Sequence, residues 1–212
     1  GYGLAEINDL KGTLQTTKKV AVATAPVTQK RYVRRDRDMN EIQWVESVAE
    51  ILSADSNFAS NIKFETQHRL PYGYEVKEFG AENEIEINSY ATDLIVIEES
   101  TEGKYKPRVV LEAKLDSITT HDAITYSQKA SSHKSVCPYI RYGVMVGNRA
   151  HHPLPGRLYR HGGNFDFMIS LHGLNLTNRE LARLIKLIED EIEASRALEK
   201  IIYNTRRKNR EH

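Results

Sequence analysis

The feature that most constrains this 212-residue chain is a pair of apolar segments separated by a turn. Leu94-Ile95-Val96-Ile97 is a short continuous apolar run, the pattern of a buried strand. After the turn-like stretch "ESTEGKYKP" comes "RVVLEAKL", which alternates. Val109, Leu111, Ala113 and Leu115 fall on one face, and Val110, Glu112 and Lys114 on the other. Together the two segments predict a β-hairpin. Neighbouring strands lie just under ~5 Å apart. In the right register Asp93, at the entry to the apolar run, therefore comes beside Glu112, with Lys114 close by. The face bearing Glu112 and Lys114 is expected to open onto solvent, a partner or a site. Glu-x-Lys recurs at Glu75-Val76-Lys77 and Glu102-Gly103-Lys104. The first has no acid-led apolar run behind it, and the second lies in the turn itself.

Two carboxylates at contact repel, so they need a reason to stay ionised together. A hard divalent cation supplies one. Mg²⁺ takes oxygen ligands and is often held by one or two carboxylates, its own waters and a substrate phosphate. An adjacent lysine orients the attacking water or offsets negative charge in the transition state.

Asp93, eighteen intervening residues, then Glu112-Ala113-Lys114 resembles the PD-(D/E)xK nuclease superfamily. It is most similar to the catalytic domains of type II restriction endonucleases, those that cut beside their site in particular, and also to archaeal Holliday-junction resolvases. The resemblance covers roughly residues 38–147, and Thr92 stands where the family has a proline. It implies an α/β restriction-endonuclease-like core of helix, antiparallel meander, helix and strand. It also implies Asp93 and Glu112 as metal ligands, Lys114 as the water-organising lysine, and Mg²⁺ as cofactor, with Mn²⁺ able to substitute. Double-stranded DNA would be the substrate, in a bacterial or archaeal cytoplasm.

The family often adds a glutamate from its first helix. In "DRDMNEIQWVESVAEIL", residues 36–52, an apolar stripe of Ile42, Trp44, Val45, Val48, Ala49 and Leu52 predicts that helix. Glu41 falls within the stripe, as a third metal ligand. An alternative stands open, with Asp38 and Glu41 forming a capping box. Glu46 is the substitute ligand. A second helix is expected over residues 121–134, and there Gln128 resembles the polar residue that the family turns toward its site. Tyr126, Lys129 and Lys134 face phosphate or water. Residues 138–148 read as the next strand, "RLYRHGGNFDFMISL" holds one more, and a long C-terminal helix follows, capped by Thr177 and Glu180.

Net charge is +1, so global charge does not announce a nucleic acid partner. Its distribution is uneven. Residues 1–37 hold eight basic and three acidic side chains, residues 38–103 three and fifteen, and residues 104–163 ten and three. An acidic block carrying Glu41 and Asp93 thus lies between two basic ones, as cation ligands and phosphate contacts together require. Lys30, Arg31, Arg34 and Arg35, before the first helix, and Arg149 and Arg157, in a loop rich in proline and glycine, are the candidate DNA contacts. Residues 1–37 read as a basic extension or linker, and 38–212 as the nuclease domain. Without Cys-x-x-Cys or a helical His-x-x-x-His, the paired His151 and His152 do not make a structural zinc site. His121 and His133 are expected at the surface. Cys137 is the single cysteine, so no intramolecular disulfide forms. The apolar runs are too short to span a membrane.

The glycine start suggests a fragment of a longer enzyme whose DNA-recognition domain is missing. A lone site cuts one strand, so a homodimer is expected at least on DNA. Two other readings compete: a repair or structure-specific nuclease such as a junction resolvase, and a non-catalytic DNA-binding domain in which Glu112 and Lys114 are a surface pair.

Overall fold

The computed structural model describes residues 39–100, 102–150 and 152–208, which belong to one compact unit. Lys30, Arg31, Arg34 and Arg35 lie outside the described residues, as does Asp38. Helix α1 spans Glu41–Ser53. Strands β1 (Ile62–Glu78), β2 (Glu84–Glu99) and β3 (Tyr105–Leu115) follow, then helix α2 (Thr120–Val136) and strand β4 (Arg141–Gly147). A short helix α3 (Gly156–His161), strand β5 (Phe167–Ser170) and the long helix α4 (Asn178–Lys208) complete the described chain. The protein is thus mixed α/β. Its five strands form one sheet in the order β1-β2-β3-β4-β5. The β1-β2-β3 pairs are antiparallel, and β4 and β5 join in parallel.

Alternation along the central strands builds the layers. Leu94, Val96, Val109, Leu111, Ala113 and Met145 pack under α1 and α4. On the opposite face Ile95, Ile97, Val110 and Tyr142 meet α2, while Val144 and Val146 meet α2 and α3. The face of β3 expected to be open is therefore covered. Val110 is fully buried and Glu112 is 1% exposed. Helix α2 achieves this closeness with small residues, burying Ala123, Ser127 and Ala130 together with His133.

Several boundaries move. Helix α1 begins at Glu41 with Asn40 as its N-cap, and Gln43 completes a reciprocal capping box. Ile42, expected in the apolar stripe, is 52% exposed. The stretch read as a loop contains α3. Residues of β1 and β2 beyond the β3 pairing form a two-stranded ribbon. Glu75 pairs with Glu86 and Glu78 with Glu84 along it. Much of the acidic sequence block sits on that ribbon, away from Asp93. Thr177 and Glu180 cap α4 as expected, by reciprocal bonds of 3.1 and 3.2 Å. No helix among the described residues is long and apolar enough to cross a membrane.

Candidate active site

The β2–β3 ladder has Leu94 opposite Leu111 as its last pair, and β3 continues to Leu115. The next residues outward on the two strands are Asp93 and Glu112. Both follow the alternation of Ile95 and Val110, so both belong to the α2 face. Asp93 Oδ2 accepts the N–H of Ala113 at 2.8 Å. The backbone bends beside it. Thr66 pairs with Leu94 and His68 with Thr92, and the intervening Gln67 sits at φ +53°. A left-handed conformation at a non-glycine residue costs on the order of 1–3 kcal/mol, and such strain concentrates at sites.

Glu112 is buried and held from two sides. Lys129 Nζ lies 2.6 Å from Oε1 and 2.7 Å from Oε2, and the Tyr142 hydroxyl donates to Oε1 at 2.6 Å. Burial pushes the carboxyl up to about 7; Lys129 pulls against that shift and Asp93 adds to it.

Lys114 reaches the first helix. Its Nζ is 3.4 Å from Glu41 Oε1, and Glu41 Oε2 accepts the N–H of Leu115 at 3.1 Å. Glu41 therefore does not cap its own helix, since Asn40 and Gln43 do so. It ties the start of α1 to the end of β3. Glu46, the alternative, is exposed. Tyr126 of α2 reaches the same stretch of β3. Its hydroxyl bonds the carbonyl of Ala113 at 3.4 Å, and its ionisation is pushed far up, first by burial and then by Asp93, Glu112, Glu41 and Asp122. Gln128 is not brought in. It is exposed, and its amide bonds Ser132 on its own helix at 3.5 Å. One residue further along α2, Lys129 takes the inward place.

The basic candidates divide. Lys134 is half-buried, bonding the carbonyl of Asn164 at 2.6 Å and pairing with Asp166 at 2.9 Å. Arg149 binds the carbonyls of Asp116 at 2.7 Å and Pro153 at 2.6 Å, so it organises its loop. Arg157 is half-buried in α3 and has no hydrogen bond or ion pair among the described residues. His121 is exposed as expected, but His133 is fully buried. Its Nε2 lies 3.1 Å from the carbonyl oxygen of Leu70, and its ring stacks on Tyr142 with centroids 5.6 Å apart. Burial lowers its pKa. Sequence reasoning missed the support of Glu112 by Lys129 and Tyr142, and the stacking of His133 on Tyr142. The available signal was the Lys129/His133 spacing of four, which puts both on one helix face.

Among the described residues no group of three or more His, Cys, Asp or Glu side chains forms a ready metal cage. Mg²⁺ requires less, often only one or two carboxylates with waters. The oxygen-only donors gathered here suit a hard cation and not a thiol- or imidazole-seeking one. No protein-family model matches the chain, and no curated protein matches it.

Proposed function

We propose that this chain is a Mg²⁺-dependent DNA endonuclease domain with a PD-(D/E)xK, restriction-endonuclease-like core. The observation that carries the reading is the placement of Asp93 and Glu112 side by side just beyond the last β2–β3 pair, with Lys114 two residues on and paired to Glu41. Glu112 is 1% exposed, so it is not an exposed partner in a surface pair with Lys114. The element order of helix, three-stranded meander, helix and strand supports the same reading.

Asp93 and Glu112 would hold the cation together with its waters, while Glu41 pairs with Lys114 at the same end of β3. When bound, the cation lowers the pKa of a water and steadies charge on a phosphoryl oxygen. The protein does the remaining work. Lys114, fixed by Glu41, orients the attacking water and offsets charge in the transition state. The water oxygen bonds to phosphorus, one P–O ester bond breaks, and the departing oxygen takes a proton. The N–H of Ala113 fixes Asp93. Tyr142 fixes Glu112. Double-strand cleavage requires two copies of the site, so the chain acts as a homodimer on DNA. Mn²⁺ substitutes for Mg²⁺, since it accepts the same oxygen donors.

The test is Mn²⁺ titration calorimetry with cleavage of linear duplex by the wild type, Asp93→Ala and Glu112→Ala. Both variants are expected to lose cation binding and cleavage together. A variant that keeps cutting overturns the assignment.

A further inference from the structure

The ammonium of Lys129 is fully engaged. Its Nζ lies 2.6 Å from Glu112 Oε1, 2.7 Å from Glu112 Oε2 and 2.8 Å from the carbonyl oxygen of Ala91. An ammonium has three N–H donors, and these three oxygens use all of them. A positive charge caged by oxygens is the surrounding that a hard cation seeks, and here a lysine nitrogen occupies it. Both oxygens of Glu112 face this nitrogen, and the residue is 1% exposed. A cation cannot reach that carboxylate while the ammonium straddles it.

Lys129 has somewhere to go. It lines an open groove of about 470 Å³ together with Tyr90, Ala91, Ile124, Thr125 and Gln128. Its side chain is already 15% exposed, so the route outward is short.

The geometry points to Lys129 as a resident counter-ion, which neutralises Glu112 until a divalent cation displaces it into the neighbouring groove. This inference rests on the proposed divalent-cation site. It makes Lys129 a positioning residue, because it acts through Glu112. The exchange lets a carboxylate that is buried and paired with an ammonium still serve a cation. The displaced ammonium then lies beside the site, where an anionic substrate strand meets it.

Mn²⁺ is titrated calorimetrically into the wild-type chain and Lys129→Met at about pH 8.5, where carboxylates are ionised. The variant is expected to bind Mn²⁺ about tenfold more tightly, the equivalent of ~1.4 kcal/mol. It has no charge-assisted hydrogen bond to give up and no like charge facing the ion. A lysine that merely supports the structure gives unchanged or weaker binding in Lys129→Met, and that result overturns the inference alone. Absence of binding by the wild type overturns both the inference and the proposed function. A second readout uses only the wild type. Acetylation of Lys129 by an amine-reactive ester, followed by mass spectrometry, is expected to be several-fold faster with saturating Mn²⁺ than without. Equal rates overturn the inference.

Discussion

Glu112 is the residue on which the site turns. Its alternation with Val110 and Lys114 was legible in the sequence, and so was its approach to Asp93, because apolar patterning on both strands sets the register. What the pattern hid was burial. A half-exposed strand and a strand covered by a helix of small residues read alike, and α2 carries Ala123, Ser127 and Ala130 inward where a long apolar stripe is normally sought. Burial has a chemical consequence. It holds the Glu112 carboxyl up at about 7 against the pull of Lys129, with Asp93 adding to the rise. Below that pH a proton competes with any cation for the same oxygens. Mn²⁺ affinity is therefore expected to rise by about tenfold per pH unit below 7, one proton being released per ion bound, and to level off above it. Calorimetry across that range checks this, and a flat profile below pH 7 contradicts the assignment of Glu112 as ligand.

At the scale of elements, α1 is held by its cap and by its contact with β4. Asn40 and Gln43 satisfy each other's backbone N–H groups. Trp44 packs where Gly147 has no side chain; a Cβ there would lie 2.5 Å from the indole. The turn so fixed presents Glu41 to Lys114. Asn40→Ala is expected to cost about 1 kcal/mol in urea unfolding and to slow cleavage several-fold through Glu41. Full activity with the same loss of stability would show that the cap does not govern the placement of Glu41, which Lys114 and the Leu115 N–H also hold. The sequence placed this helix but not its start, because Asp38 and Asn40 are both good caps and only three-dimensional packing chooses between them. Helix α3 stayed hidden for a related reason. Its proline and glycine neighbours signal a loop, while burial of Leu158 stabilises six residues of helix.

The whole molecule is clasped by ion pairs between α4 and the sheet. Arg108, 3% exposed, pairs with Glu98 at 2.6 Å and with Glu199 at 2.7 Å, and Arg196 also pairs with Glu98 at 2.5 Å. Removing one partner of a buried pair leaves the other charge uncompensated. Arg108→Ala is expected to destabilise the protein by roughly 3–5 kcal/mol in urea unfolding; a loss below about 1 kcal/mol would mean the network is solvated. The site lies at the other end of β3, so cation binding by the folded variant should be unchanged. At this scale sequence charge was least informative. An acidic block suits a cation site and a solvated face alike, and Glu75, Glu78, Glu84 and Glu86 lie on the β1–β2 ribbon. Block charge carries no information on which residues fold toward one another; strand register does.

The most direct measurement is cleavage of supercoiled plasmid by the wild-type chain and Lys114→Ala, with and without Mg²⁺. Nicked and linear products are expected from the wild type with Mg²⁺ alone, with cleavage by Lys114→Ala reduced by at least about a hundredfold. An intact plasmid after wild-type treatment with Mg²⁺ or Mn²⁺, or equal nicking by Lys114→Ala, would contradict the nuclease assignment.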